Sequence, residues 1–259
     1  MSFTILILIS AGGLFLGMLL CFELGRRFGV ARLARDPEGL AKGSGPVEAA
    51  VFGLLGLLLA FTFSGAASRF EDRRHLIADE SNAIEIAYLR VDLLPSDTQP
   101  EIRQDFRRYI DARLSVYRSV ADETAMEAKL SEASALQHDI WAKAVAASRR
   151  PGVPSQVALL LLPAIGEVMD ISTKRAVAME NHPPRVIFYL LAGLSLISAL
   201  LVGYVMCDTK VRSWFYMLLV AGTMSLTMYV ILDLEYPRYG LIRIDAADEP
   251  LIELQKKMQ

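Results

Sequence analysis

Asp72 and Asp79 stand seven residues apart, two turns of a helix, and the line they define runs back through Ser68 and Ser64 to Phe61, Leu57 and Gly53. At 100° per residue, Phe61, Ser68, Asp72 and Asp79 point within about 20° of one direction, and Leu57 and Gly65 lie about 40° to either side. Carboxylates on one helix face concentrate cations. Bulky apolar residues on the same line, in lipid, narrow a path to the point where water leaves it. The plainer reading of such a charge run is the solvated face of an amphipathic helix, and what favours a pathway is that the polar and apolar stretches share one phase. Phe70, Ile77, Ile84 and Val91 recur every seventh residue on roughly the opposite side and read as a packing seam.

Other reactive side chains are scattered. His75, His138 and His182 fall on different segments, and Cys21 and Cys207 sit at the ends of apolar runs without a second ligand at metal-binding spacing. Both cysteines read as apolar filler. There is no glycine-rich phosphate loop and no carboxylate pair in an apolar setting. The pattern speaks against an enzyme, and no metal or cofactor is expected.

The elements that must position the acidic stripe follow from composition. Of 259 residues, 53 % are hydrophobic, yet the middle third carries more of the charge than either end. A formal net charge of −2 leaves no basic field for nucleic acid, which is discarded as a partner. Residues Phe3 to Phe22 hold no charge, and about 20 residues at 1.5 Å each cross a hydrocarbon core of ~30 Å. A cleaved signal peptide is the competing reading, disfavoured because no basic region precedes Phe3 and no small-residue cleavage pattern follows. Gly25 to Gly45, with Arg26, Arg27, Arg32, Arg35 and Lys42, reads as a polar connection.

Ala49 to Ala67 is the second span, rich in small residues that let helices approach closely in lipid. Nothing breaks it before Leu94, so one helix of about 45 residues is predicted, stopped by Pro95-Ser96-Asp97. A second helix is read from Ile102, Phe106, Tyr109, Ile110, Leu114 and Tyr117, and a third from Met126, Leu130, Ile140 and Val145, opening on a Thr124 to Glu127 capping box. A fourth, Val157 to Ile171, is too short and too broken by Pro163 to span, and reads as core; a re-entrant segment is the alternative. Val186 to Met206 and Trp214 to Leu232 are the third and fourth spans, joined by a turn with Asp208, Lys210 and Arg212.

The predicted fold class is an all-α integral membrane protein with four transmembrane helices and an α-helical soluble domain between the second and third. Its divisions are 1–48, the first span and basic connection; 49–94, the second span continuing outward; 95–184, the soluble domain; 185–234, the last two spans; and 235–259, a polar tail. Four spans put both termini and the soluble domain on one side. Lys/Arg counts on the two sides balance and do not choose it.

Three stretches resemble the bestrophin channels, and more closely the bacterial bestrophin-like family. Gly53 to Phe61 followed by Ser64-Gly-Ala-Ala-Ser-Arg69-Phe70-Glu-Asp-Arg73 looks like their pore helix. Lys174-Arg175 and then His182-Pro183-Pro184-Arg185 is similar to the approach to their third span. Ile231-Leu-Asp233-Leu-Glu235-Tyr-Pro237-Arg-Tyr-Gly240 resembles their acidic, aromatic and Pro/Gly exit, with Asp248-Glu-Pro-Leu251 after it. The resemblance implies a homopentameric ion channel in the bilayer of the cell (inner) membrane, with a cytoplasmic helical domain. Leu57 and Phe61 would match bulky neck positions, while Gly53 departs from them. Asp233, Glu235, Asp245 and Asp248 match the animal calcium clasp only loosely, so calcium gating is not carried over.

The leading expectation is a passive channel for inorganic ions, with Leu57, Phe61 and Gly53 at the constriction and Ser64, Ser68, Asp72 and Asp79 along the pathway. Acidic rings would favour cations; nearby Arg69, Arg73 and Arg74 keep anions open. The alternative from another class is a membrane-anchored sensor or scaffold without conductance. A proton-driven transporter is disfavoured because no span centre carries an ionisable residue.

Overall fold

The computed structural model describes residues 3–35, 44–118, 123–208 and 214–259. All regular structure among them is helical: α1 Phe3–Leu33, α2 Ser44–Arg90, α3 Gln99–Arg118, α4 Glu123–Ser148, α5 Ser155–Glu180, α6 Arg185–Val205, α7 Trp214–Glu235 and α8 Glu249–Lys257. Four segments are long and apolar enough to cross a membrane: Thr4–Leu33 with α1, Gly45–Leu93 with α2, Ser155–Val205 with α5 and α6, and Trp214–Glu235 with α7. The chain divides into two compact units, one of Met1–Ser68 with His182–Leu241, the other of Arg69–Asn181 with Ile242–Gln259.

In the first unit α1 packs against α6 and α7. Met18, Phe22, Leu191, Ala199, Ala221 and Ile231 are all but fully buried there. Lipid tails are as apolar as these side chains, so association rests on close fit rather than on escape from water. Glycine supplies the fit. A Cβ on Gly25 would lie 2.0 Å from the Leu200 carbonyl oxygen, and one on Gly203 2.1 Å from that of Phe22. Gly25 and Gly29 also explain why α1 does not stop near Phe22 and give way to a polar connection. They keep one face narrow enough to run along α6, so the helix continues to Leu33 with Arg26, Arg27 and Arg32 on it. Glu23 and Arg27 pair at 3.1 Å within this extension. Residues 36–43 of the predicted basic connection, Lys42 among them, and the Lys210 and Arg212 turn lie outside the described residues.

The second unit has an apolar core of its own. The seam of α2 packs as the heptad spacing predicts: Ile77, Ile84 and Val91 are buried and Phe70 is partly buried against them. Helix α2 ends at Arg90 and closes with a 3-10 turn at Val91–Leu93, just before Pro95. From α3 come Ile102, Phe106, Tyr109, Ile110 and Leu114; the Tyr117 side chain lies outside the described residues. Helix α4 begins at Glu123, one residue ahead of the predicted cap. Its buried stripe is Ala133, Leu136, Ile140, Ala144 and Ala147, while Leu130 is exposed. The alanines let neighbouring helices close in where larger residues would hold them apart. Gly152 turns the chain between α4 and α5 at φ +88°, a conformation that a Cβ would strain. Helix α5 buries Val157, Leu161, Ile165, Val168 and Ile171, as expected of a core segment. The tail is more than polar linker: Leu251, Leu254 and Met258 on and just after α8 join this same core.

Candidate functional site

Helix α2 carries every residue of the acidic stripe. Gly53, Leu57, Phe61, Ser64, Ser68, Asp72, His75 and Asp79 are all exposed, and on an ideal wheel they fill an arc of about 100°. Leu57 is 52 % and Phe61 67 % exposed. Only 11 % of the most apolar window of α2 is buried, against 28 % for each of the other three segments. A Cβ added at Gly53 or Gly56 would meet nothing within 4 Å. Among the described residues, no contact therefore requires glycine at those two positions. His75 sits on the stripe with its Nε2 3.4 Å from a Glu71 oxygen.

Behind the stripe lies a group the sequence did not single out. Glu80 is fully buried, one residue from exposed Asp79. Its carboxylate accepts hydrogen bonds from Tyr109 Oη at 2.8 Å, from Arg113 Nη2 at 3.0 Å and from Arg175 Nη1. Gln137 Nε2 donates to Tyr109 Oη at 3.0 Å, so α2, α3, α4 and α5 all contribute. Burial alone would raise the Glu80 pKa; Arg175 and Arg113 outweigh it, and the carboxyl is held below its ordinary range. Tyr109 is pushed the other way, by its own burial and then by the adjacent Glu80 charge. A signal did exist in the sequence. Position 80 falls on the apolar seam, three residues after Ile77 and four before Ile84, where a solvated charge has no place.

The resemblance residues separate into two groups. Arg73 is buried; its Nε donates to the Ala178 carbonyl at 3.0 Å and its Nη2 to that of Asn181 at 3.2 Å. Those carbonyls end α5, where no further helical N–H is available to them. Phe70 packs on the core beside it, and Arg69 is half-buried. Farther along α2, Arg90 Nη1 donates to the Leu160 carbonyl at 2.6 Å, in the turn of α5 before Pro163. A cleft of about 260 Å³ opens there between Ala83, Ile86, Arg90, Pro163, Ala164 and Glu167.

In the first unit, the acidic exit of α7 folds onto the start of α6. The Leu241 N–H lies 3.1 and 3.0 Å from the two oxygens of buried Asp233. Gly240 is required here, because its Cβ would fall 1.5 Å from Asp233 Oδ1. Buried Glu235 approaches His182 Nδ1 at 3.5 Å, and the His182 ring stacks on Tyr236 at 4.4 Å. Pro184 then caps α6 in an extended conformation, with Pro183 before it, and Pro237 is buried in the turn after α7. Among the described residues, no three His, Cys, Asp or Glu side chains are grouped to hold a metal. Asp245 pairs instead with Arg243 at 2.6 Å.

Comparison with known proteins gives one result. No curated protein and no solved structure matches the chain. The family model for the Bestrophin-like domain matches residues 8–248, from within the first apolar segment through the other three, with both groups of motif residues. With a match over that much of its length, this membrane protein belongs to the Bestrophin-like domain family.

Proposed function

We propose that the protein is an ion channel assembled from several copies of this chain, with the exposed face of α2 lining the path. The observation that carries the reading is that α2 is the least covered of the four apolar helices while bearing, in one phase, Leu57 and Phe61 followed by Ser64, Ser68, Asp72 and Asp79. Four membrane helices are too few to enclose a pore of their own, and a ring of copies would give the bare face of α2 a common axis. The family resemblance favours five. Leu57 and Phe61 act as an apolar neck that passes ions only when wetted, and Gly53 leaves the neck one ring shorter on that side. Asp72 and Asp79 form two acidic rings that raise the local cation concentration. The unit of α3, α4 and α5 is a soluble helical domain between the second and third spans. It lies with both termini on the cytoplasmic side of the inner membrane.

The test is electrical. Purified protein in planar bilayers under a KCl gradient should conduct, with a reversal potential on the cation side. Asp72→Asn with Asp79→Asn should move that potential toward zero. Unchanged selectivity in the double variant removes the acidic rings from the account. A stable monomer without conductance replaces the channel with a membrane-anchored sensor or scaffold.

A further inference from the structure

Within the second unit, the buried seam of α2 and the turn that closes it centres on positions 73, 77, 80, 84, 87 and 91, in alternating steps of four and three, with Ser81 and Ala83 buried on either side of it. Four of the six are Ile, Ala or Val. The other two, Arg73 and Glu80, are charged and only 7 % and 0 % exposed. Aliphatic seams alone specify alignment weakly, because a helix displaced by one turn, about 5.4 Å, meets an equivalent set of holes. A buried charge tolerates no such displacement: away from its partner it is stranded in a medium that cannot solvate it.

Among the described residues, the polar contacts of α2 with α5 include three rungs between antiparallel helices. Arg73 donates to the carbonyls of Ala178 and Asn181, Glu80 accepts from Arg175, and Arg90 donates to the carbonyl of Leu160. Climbing α2 from 73 to 90 descends α5 from 181 to 160. The polarity alternates, with α2 giving at the two ends and receiving in the middle, so a shift along the axis breaks all three rungs together. Arg113, reaching Glu80 from α3, adds a constraint on rotation. A turn of one residue, about 100°, would carry Glu80 out of the pocket and swing Asp79 off the open face.

We propose that Arg73, Glu80 and Arg90 are positioning residues that lock the rotation and register of α2 on α5, and so hold Asp72, His75 and Asp79 on the uncovered face. The purpose of the lock rests on the ion-pathway reading; its geometry does not.

The experiment reads side-chain access without ion flow. In the full chain carrying Cys21→Ala and Cys207→Ala, in detergent, a water-soluble maleimide is applied to Asp79→Cys or to Ile77→Cys. Position 79 should label about tenfold faster or more, since position 77 must await local opening. Adding Glu80→Gln should lower the rate at 79 by about threefold or more, as the helix turns that position toward the core. A core that is merely loosened raises the rate at 77 and leaves 79 alone, and that result overturns the proposal, as does a fall at 79 of less than threefold. If Glu80→Gln yields no folded protein, Arg90→Ala decides in the same way, read at Ile86→Cys against Ile84→Cys. Normal labelling contrast in a protein that never conducts refutes the channel and leaves the lock standing. Equal rates at 77 and 79 in the parent refute the lock itself.

Discussion

Replacing Glu80 by alanine removes the one carboxylate that Arg113, Arg175 and Tyr109 share. The two arginine side chains are 4 % and 5 % exposed and would remain charged in the core. Removing one partner of a buried ion pair costs about 3–5 kcal/mol. The lost Tyr109 bond adds a further increment of about 1 kcal/mol, part of which is recovered as the arginines reach toward water. A net loss of about 4 kcal/mol, in a unit of this size, lowers the melting temperature by roughly 12–20 °C. Far-UV circular dichroism of the detergent-purified protein measures it. Asp79→Asn next door is the control and should stay within about 0.5 kcal/mol, since it alters an exposed carboxylate. The depressed Glu80 pKa sets the pH dependence. Its stabilising effect is complete above the unfolded carboxyl value of about 4.3 and is lost as pH falls through the lower folded value. The difference in melting temperature between the parent and Glu80→Ala should therefore stay constant from about pH 7 to 5 and shrink below about pH 4. A shift smaller than about 4 °C for Glu80→Ala at neutral pH would mean that Arg113 and Arg175 do not depend on Glu80 for their burial.

Tyr109→Phe should cost less, about 1–2 kcal/mol, because Glu80 keeps both arginines and loses only a neutral donor; thermal melts rank the two variants. Gly203→Ala should disrupt the first unit, its Cβ meeting the Phe22 backbone at 2.1 Å, whereas Gly53→Ala should leave the folded monomer intact, a difference that size-exclusion profiles and melting temperatures will register. Gly240→Ala should destabilise by about 1–3 kcal/mol by displacing Asp233 from the Leu241 N–H, as read by earlier thermal aggregation in detergent. Phe61→Ala should raise single-channel conductance several-fold by widening the neck, and equal conductance would remove Phe61 from the constriction.

Much of the fold could be read from periodicity. The apolar runs predict the four long segments, and the heptad Phe70, Ile77, Ile84, Val91 predicts the buried side of α2. What escaped were interactions whose partners lie far away in the chain. Glu80 stands in an acidic run that looks solvated, and only Arg113 and Arg175, 33 and 95 residues later, turn it into a core residue. Arg73 was visible as part of a motif, but not as the donor that closes the end of α5. The extension of α1 to Leu33 escaped because arginines usually signal an exit from lipid, and the grooves at Gly25 and Gly29 appear only once α6 is in place. The tail escaped because α8 is short and mostly polar, with its apolar residues few and widely set. Of the acidic stripe, the exposure of each residue matches the wheel; the wheel alone could not say which other surface, if any, would cover it.

The core that α8 completes has a consequence for how the protein is made. Leu251, Leu254 and Met258 close a cluster whose other members end at Ile171, apart from Ile244 just ahead of them. During synthesis that cluster waits, open on one side, while α6 and α7 are threaded into the bilayer. A chain cut short after Leu241 would carry all of its apolar segments and still expose raw hydrophobic surface, a substrate for quality-control proteases rather than a smaller version of the same protein.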